Sequence, residues 1–306
     1  MRYIFIINNT AGNGKYQSEV LGDAIKSASD KLGLSSCCSV YYTKHRGDAF
    51  DYISSLTIDD GPYTVYACGG DGTLREVVNA VKKSDADISV GIVPCGTGND
   101  FAKAFTSSEK FLDIEAQLTG KTEYIDLLKI DDEYCVNLAN VGFDANVAEK
   151  MIEYKKRFGS LSYKLALVRE LFSSMKYRMR AEFDDGDKID GNFLLFSIAN
   201  GIAYGGGFYA AILSKMTDGM IDVCYCDYVS RLTFISSVGN YKKGKHLDGR
   251  YSYVHRKPCK SFKMYFDTPT SFCEDGEIFM KTEVNISVES KALKLVIPSE
   301  CEFVNK

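Results

Sequence analysis

Three short stretches hold the residues best able to do chemistry. The first, Gly69-Gly70-Asp71-Gly72-Thr73, sets three glycines around a carboxylate. Such a loop lets backbone N–H groups approach a ligand with no Cβ in the way, and lets the chain reach positive φ. Where it opens a helix, unpaired N–H groups and the helix dipole favour an anion. Asp71 narrows the chemistry. A carboxylate repels a bare phosphate, so a Mg2+ ion or a hydroxyl donor is expected between the two. The second stretch, Cys95-Gly96-Thr97-Gly98-Asn99-Asp100, repeats the device further along. The third, Cys273-Glu274-Asp275-Gly276-Glu277, crowds carboxylates at an Asp-Gly corner. It reads either as a solvated acidic hairpin turn or as carboxylates that share a cation or a proton.

The elements that position these loops are legible. Val65 to Cys68 is a short apolar, β-prone run, and after Thr73 the apolar residues Leu74, Val77, Val78 and Val81 take helical spacing. Asp87 to Pro94 is another buried strand, with a second glycine turn and a helix expected after it. Arg2–Ile7 gives a first strand, about Glu19–Leu32 a helix and Ser39–Tyr42 a strand. This alternation to residue 105 implies a mostly parallel sheet with crossover helices, whose ligands bind at the carboxyl ends of the strands. After Gly120 the character changes. Glu123–Ile130, Tyr134–Val141, Asn192–Ala199, Met220–Cys226, Ser261–Phe266 and Val284–Val288 are short β-like runs with turns between them. The expected domains are therefore 1–125, an α/β nucleotide-binding domain, and 126–290, a β-rich domain. Residues 291–306 are expected as a closing strand and tail returning to the first. Within the second domain Leu161, Leu165, Val168, Phe172 and Met175 recur at helical spacing with basic residues between them. One basic amphipathic helical stretch is expected over 151–179, its apolar face used for core packing in preference to membrane insertion.

The 306 residues are 25% charged and 45% hydrophobic, which excludes a disordered chain. No apolar run reaches membrane-spanning length and no signal-peptide pattern opens the sequence, so a cytosolic protein is expected. Ten cysteines without a CxxC pair, and only three histidines, argue against a disulfide framework or a histidine-rich metal site. The net charge of −4 hides an asymmetry: residues 150–180 and 239–260 hold sixteen of the 37 Lys and Arg but three of the 41 Asp and Glu. Nucleic acid could meet such patches, but an anionic membrane surface suits them better.

The motifs resemble those of the diacylglycerol kinase, sphingosine kinase and NAD kinase superfamily. Pro94-x-Gly-Thr-Gly-Asn-Asp-Phe-Ala is similar to the second signature of its lipid-kinase branch, and the likeness, closest to bacterial soluble diacylglycerol kinases, runs from Asn8 to Pro298. It implies an NAD kinase/phosphofructokinase-like parallel sheet followed by a β-rich, sandwich-like domain. It implies transfer of the γ-phosphoryl of ATP to a lipid hydroxyl, with Mg2+. Nucleotide contacts are implied at Asn8 and Gly12, at Thr43, at Gly69, Gly70, Asp71, Gly72 and Thr73 with Glu76 in the following helix, and at Gly96, Thr97, Gly98, Asn99 and Asp100. Thr43 alone would also read as a helix cap. Asn9 stands where the family pattern has proline, which lowers loop rigidity. Asn200-Gly-Ile-Ala-Tyr-Gly-Gly-Gly-Phe208 resembles another family segment, its glycines suited to close approach of a backbone or ligand. Lys215-Met-Thr-Asp218-Gly-Met220 resembles a turn that holds Mg2+ through the Asp218 carboxylate and the carbonyls of Lys215 and Met220, in a network with Asp71. Read on its own it is a β-turn. Ile212 and Ser214 depart from the family pattern just upstream. Asp275 or Glu277 is the implied base. A lipid acceptor at the inner face of an anionic membrane is the expected partner, with nucleic acid not expected and a homodimer left open. Kinases of sphingoid or other lipids, an NAD kinase and a non-catalytic nucleotide-binding regulator remain as alternatives.

Overall fold

The computed structural model describes residues 1–11 and 15–305, without the side chains of 15–18, 156 and 160. The chain divides into two units, Met1–Leu127 with Ser290–Lys306, and Leu128–Glu289.

In the first unit, β1 (Arg2–Asn8), α1 (Lys15–Lys31), β2 (Cys38–Thr43), α2 (Asp48–Ser54), β3 (Tyr63–Gly69), α3 (Asp71–Lys83) and β4 (Ile88–Pro94) alternate. The strands lie in the order β4-β3-β1-β2, all parallel. β3 is buried along its whole length, as a central strand covered on both faces must be. The register sets the carboxyl ends level: Asn8 pairs with Thr43, Ile7 with Cys68, and Gly69 with Pro94. Every loop named above for the nucleotide leaves this one edge. α3 earns its place by its apolar stripe, with Leu74, Val77 and Val78 buried. α4 (Ile114–Leu118) and β5 (Lys121–Ile130) follow. Beyond the second glycine loop an α-helix is expected, but Phe101–Ala104 form a single 3-10 turn instead. Phe101, Ala102, Ala104 and Phe105 are all buried, and the chain turns extended at Phe105 and left-handed at Ser107, which ends the turn there.

The second unit holds β6 (Glu133–Cys135), β7 (Leu138–Gly142), α5 (Phe143–Phe158), α6 (Ser162–Phe172), β8 (Tyr177–Phe183), β9 (Lys188–Ala199), β10 (Ile221–Asp227), α7 (Arg231–Lys242), β11 (Val254–Cys259), β12 (Ser261–Glu274) and most of β13 (Glu277–Ile297). Its pairings are antiparallel: β11 with β10, β10 with β9, β9 with β7 and β8, and β12 with β7, β8 and β13. Phe196, Ile198, Val223, Met264, Phe272 and Ile286 belong to its main core. All ten cysteines are free thiols, and among the described residues no helix is long and apolar enough to cross a membrane.

One expectation is overturned here. The basic stretch forms two helices, α5 and α6, and its predicted core stripe points outward: Leu161 is 56% exposed, Val168 53% and Phe172 77%, with Leu165 also exposed and only Met175 buried. α6 carries a second apolar set, Tyr163, Ala166, Leu167 and Leu171, and that set packs against Phe143, Val147 and Phe234. The buried Glu170 lies with it, satisfied by the Tyr177 hydroxyl and by Asn146 Nδ2 at 3.2 Å. A helix apolar on two sides does not announce from periodicity which side the core takes.

Candidate active site

In the first unit the two glycine loops are pressed together. A Cβ built on Gly96 would lie 2.5 Å from the Gly70 Cα, and one on Gly69 would lie 2.3 Å from Thr73 Oγ1. Positive φ is not the reason for these glycines. None of Gly69, Gly70, Gly72, Gly96 and Gly98 is left-handed, and Gly70 has φ −93°. The left-handed residue of the second loop is Asn99, at φ 50°. Its Oδ1 accepts from Gly96 N at 2.9 Å while its Nδ2 donates to the carbonyls of Pro94 and Gly96, each at 3.0 Å. Cys95 N donates to Gly69 O at 2.8 Å, continuing the β3–β4 pairing into the loops.

Side chains complete the joint. The Asp71 carboxylate accepts from Asp100 N at 3.3 Å and Phe101 N at 3.4 Å, so it caps the 3-10 turn of the other loop. Asn8 Nδ2 donates to Thr73 Oγ1 at 3.0 Å, which ties the end of β1 to the first turn of α3. Thr43 Oγ1 reaches Ile7 O at 3.4 Å. Thr97 and Gly72 are exposed on this edge, and Gly12 lies outside the described residues. Glu76 has a capping role: its Oε1 accepts from Ala49 N at 2.9 Å and Phe50 N at 3.3 Å at the start of α2, whose N-cap Gly47 has no side chain to do so. Lys103 was not singled out by the sequence. Its Nζ donates to Gly98 O at 2.8 Å and pairs with the buried Asp100, which sets a cation beside the second loop. Its position three residues after Asp100, one helical turn on, is the only local signal.

The second unit presents its own polar cluster. Asp275 and Gly276 close the β12–β13 hairpin with φ 46° and 88°, both left-handed, as a two-residue Asp-Gly turn requires. The Asp275 carboxylate is buried and takes three backbone donors: Val136 N at 2.7 Å, Asn137 N at 3.0 Å and Leu138 N at 3.2 Å. Glu277, two residues on, is half-buried. The same 136–137 backbone anchors Asn200, whose Nδ2 donates to Val136 O at 2.8 Å, and Gly201, where a Cβ would fall 1.9 Å from Asn137 Oδ1. The following glycines have another use. Cβ atoms on Gly206 and Gly207 would meet nothing, but both have positive φ, so they are turn residues and not points of close approach.

Asp218 is exposed, and its Oδ1 accepts from Met220 N at 3.0 Å, an Asx-type turn. With the carbonyls of Lys215 and Met220 the available donors are all oxygen, the type Mg2+ prefers. Among the described residues no three His, Cys, Asp or Glu side chains form a metal cluster. One carboxylate and two backbone carbonyls would suit Mg2+, which takes few protein oxygens and keeps several waters.

Two further features of this unit come from its packing. The Asp144 carboxyl is enclosed, and this pushes it up to about 6, against hydrogen bonds from the Tyr204 and Tyr241 hydroxyls that pull the other way. Beside Tyr241 lies an apolar cavity of about 40 Å³, lined by Leu195, Cys226, Val229, Phe234 and His246 among others. His246 is buried, which holds its imidazole down at about 4 and therefore neutral. Its Nε2 bonds Ala210 O at 3.0 Å and so carries the proton, leaving Nδ1 a buried acceptor without a partner. Both features depend on contacts between residues far apart in sequence.

A parallel sheet with paired glycine loops at its carboxyl edge, followed by an antiparallel unit with a carboxylate turn, defines a kinase-type architecture. Residues 2–130 match the diacylglycerol kinase catalytic domain, and residues 137–297 match the YegS C-terminal NAD kinase beta sandwich-like domain. The chain belongs to this YegS-type lipid kinase family. A Staphylococcus haemolyticus protein named "Putative lipid kinase" is 29% identical over 295 residues, covering 93% of this chain and 92% of its own. A protein named "Probable lipid kinase YegS-like" from Alcanivorax borkumensis is 28% identical over 270 residues, covering 87% and 89%. The crystal structure of a diacylglycerol kinase from Bacillus anthracis has a TM-score of 0.74 at 19% identity, with 97% of each chain covered, and it supports the fold.

Proposed function

We propose that this family member uses ATP and Mg2+ to phosphorylate a lipid hydroxyl, with diacylglycerol as acceptor and phosphatidic acid as product. The observation that carries the reading is the joint of the two glycine loops at the carboxyl edge of the sheet. Gly70 and Gly96 are held backbone to backbone, Asp71 caps the neighbouring turn, and Lys103 brings a cation. Backbone N–H groups and a helix start so arranged suit the nucleotide phosphates. In the transfer the bond from the γ-phosphorus to the bridging oxygen breaks, ADP leaves, and the lipid oxygen forms the new P–O bond. The hydroxyl proton goes to a carboxylate of the Asp275–Glu277 turn. Mg2+, when bound, neutralises phosphate charge, and Asp218 is the carboxylate assigned to it in the second unit. The chain would act from the cytoplasm at the inner membrane face.

The test is incubation of purified protein with labelled ATP, Mg2+ and a panel of diacylglycerol, sphingoid bases, other lipids and NAD, followed by product identification. Labelled phosphatidic acid is expected. Labelled NADP, a sphingoid phosphate, or nucleotide binding without turnover would each overturn this assignment in favour of a different acceptor or of a regulator.

A further inference from the structure

We infer that the outer face of α6, together with the start of α7, is a docking surface for an anionic bilayer. The inference rests on the lipid-kinase reading for its choice of occupant, but its geometry is independent of any catalytic residue.

Leu161, the residue just before α6, and Leu165, Val168 and Phe172 on it are exposed to solvent at intervals of four, three and four residues, a stripe along one side. The stripe continues across a fixed joint. Arg231, the first residue of α7, donates from Nε to Leu171 O and from Nη2 to Ser173 O, each at 2.8 Å. That places the start of α7 against the end of α6, where Phe172 is 77% exposed and Leu232 81%. Ile235, one turn on, and Tyr228, just before α7, are exposed too. Single exposed apolar residues are ordinary, but a patch assembled from two helices marks an interaction site.

Charge selects the occupant. Lys155, Arg157, Lys164, Arg169 and Lys176 are exposed along the same helical pair and its exit. The acids of residues 150–180 do not offset them: Glu153 pairs with Lys150 at 2.9 Å, and Glu170 is buried against Tyr177. An apolar stripe edged by unbalanced cations suits a surface with anionic headgroups above acyl chains. A second copy of this chain would bring like charges together. Nucleic acid would leave Phe172 and Leu232 without an apolar partner.

The test uses the full chain and sedimentation with vesicles of phosphatidylcholine alone, or with about a third phosphatidylglycerol. The wild type should prefer the anionic vesicles and lose them as salt rises. Val168→Ser, Phe172→Ser and Leu232→Ser together should weaken that binding at least about tenfold, while phosphorylation of a short-chain, soluble diacylglycerol is unchanged. These side chains are exposed, so the fold should tolerate serine. The chain contains no tryptophan, so Phe172→Trp gives a single emission signal that should shift to the blue on anionic vesicles. Triple-variant binding equal to wild type, equal wild-type binding to neutral and anionic vesicles, or a wild-type dimer that the triple variant breaks would each overturn the proposal. Face-dependent docking by a protein that phosphorylates no lipid would sustain the surface and sink the kinase reading alone.

Discussion

Replacing Asp275 should damage the fold before it damages the chemistry, and the hydrogen bonds say by how much. Its carboxylate is the acceptor for the N–H groups of Val136, Asn137 and Leu138, at 2.7, 3.0 and 3.2 Å. A buried donor left without a partner costs roughly 1–3 kcal/mol. Asp275→Ala strands three, and alanine at φ 46° adds about 1 kcal/mol of backbone strain. The total, on the order of 4–8 kcal/mol after partial relaxation, rivals the whole stability of an ordinary domain. Asp275→Asn keeps one oxygen for Asn137 and Leu138 but turns an NH2 group toward Val136 N, so about 2–4 kcal/mol is expected. Glu277→Gln, at a half-buried position, should cost well under about 1 kcal/mol. Urea unfolding followed by near-UV circular dichroism, alongside turnover under folding conditions, separates the two tasks. General-base removal lowers turnover by about 10²–10⁴ with the unfolding midpoint unmoved. An Asp275→Asn protein that unfolds at the wild-type urea concentration would refute the clamp described here. One that unfolds early, yet turns over normally while folded, would leave the proton to Glu277.

Gly96→Ala should abolish nucleotide binding, measured by calorimetry, because its Cβ would sit 2.5 Å from the Gly70 Cα and force the loops apart; unchanged affinity would mean that the joint does not shape the site. Asp218→Ala should weaken the Mg2+ dependence of turnover with the unfolding midpoint intact, whereas an unaltered Mg2+ titration would reduce Asp218 to a turn residue. Enclosure raises the Asp144 carboxyl from 3.8 to about 6, so its contribution to stability is full below pH 3.8 and is lost as pH rises through about 6. The span is on the order of 3 kcal/mol, so Asp144→Asn should gain on the wild type between pH 4.5 and pH 7 in urea midpoints, and a difference that does not change with pH would disprove the enclosure.

Much of this was legible because its cause is local. The strand–glycine–helix punctuation at 63–81, the apolar strand before Pro94 and the antiparallel runs after Gly120 are written in neighbouring residues. What those residues bond to is not. Glu76 reads as part of the nucleotide loop by proximity, yet its acceptor role is toward Ala49 and Phe50. Asp71 reads as a partner for a cation, and nothing near it in sequence shows that its carboxylate accepts from the N–H groups of Asp100 and Phe101. Gly69 and Gly96 are marked by composition, but close packing and not left-handed φ explains them, a distinction that needs the folded neighbours in view. Periodicity over 161–172 finds a helix and leaves its orientation open, since Leu165 and Leu167 begin equally good stripes. Asp144 lacked any signal, and the basic turn Lys243-Gly244-Lys245-His246 does not foretell that its histidine is buried, because burial is a property of what surrounds a residue.

The contact of Gly70 with Gly96 makes the two loops a single inheritable part. Neither can be lengthened, shortened or traded for a relative's loop alone, because the partner's backbone already fills the space in which the newcomer would vary. Redesign of the nucleotide preference therefore has to treat residues 69–73 and 95–100 as one cassette: a chimera carrying both from one donor should fold, and either one alone should not.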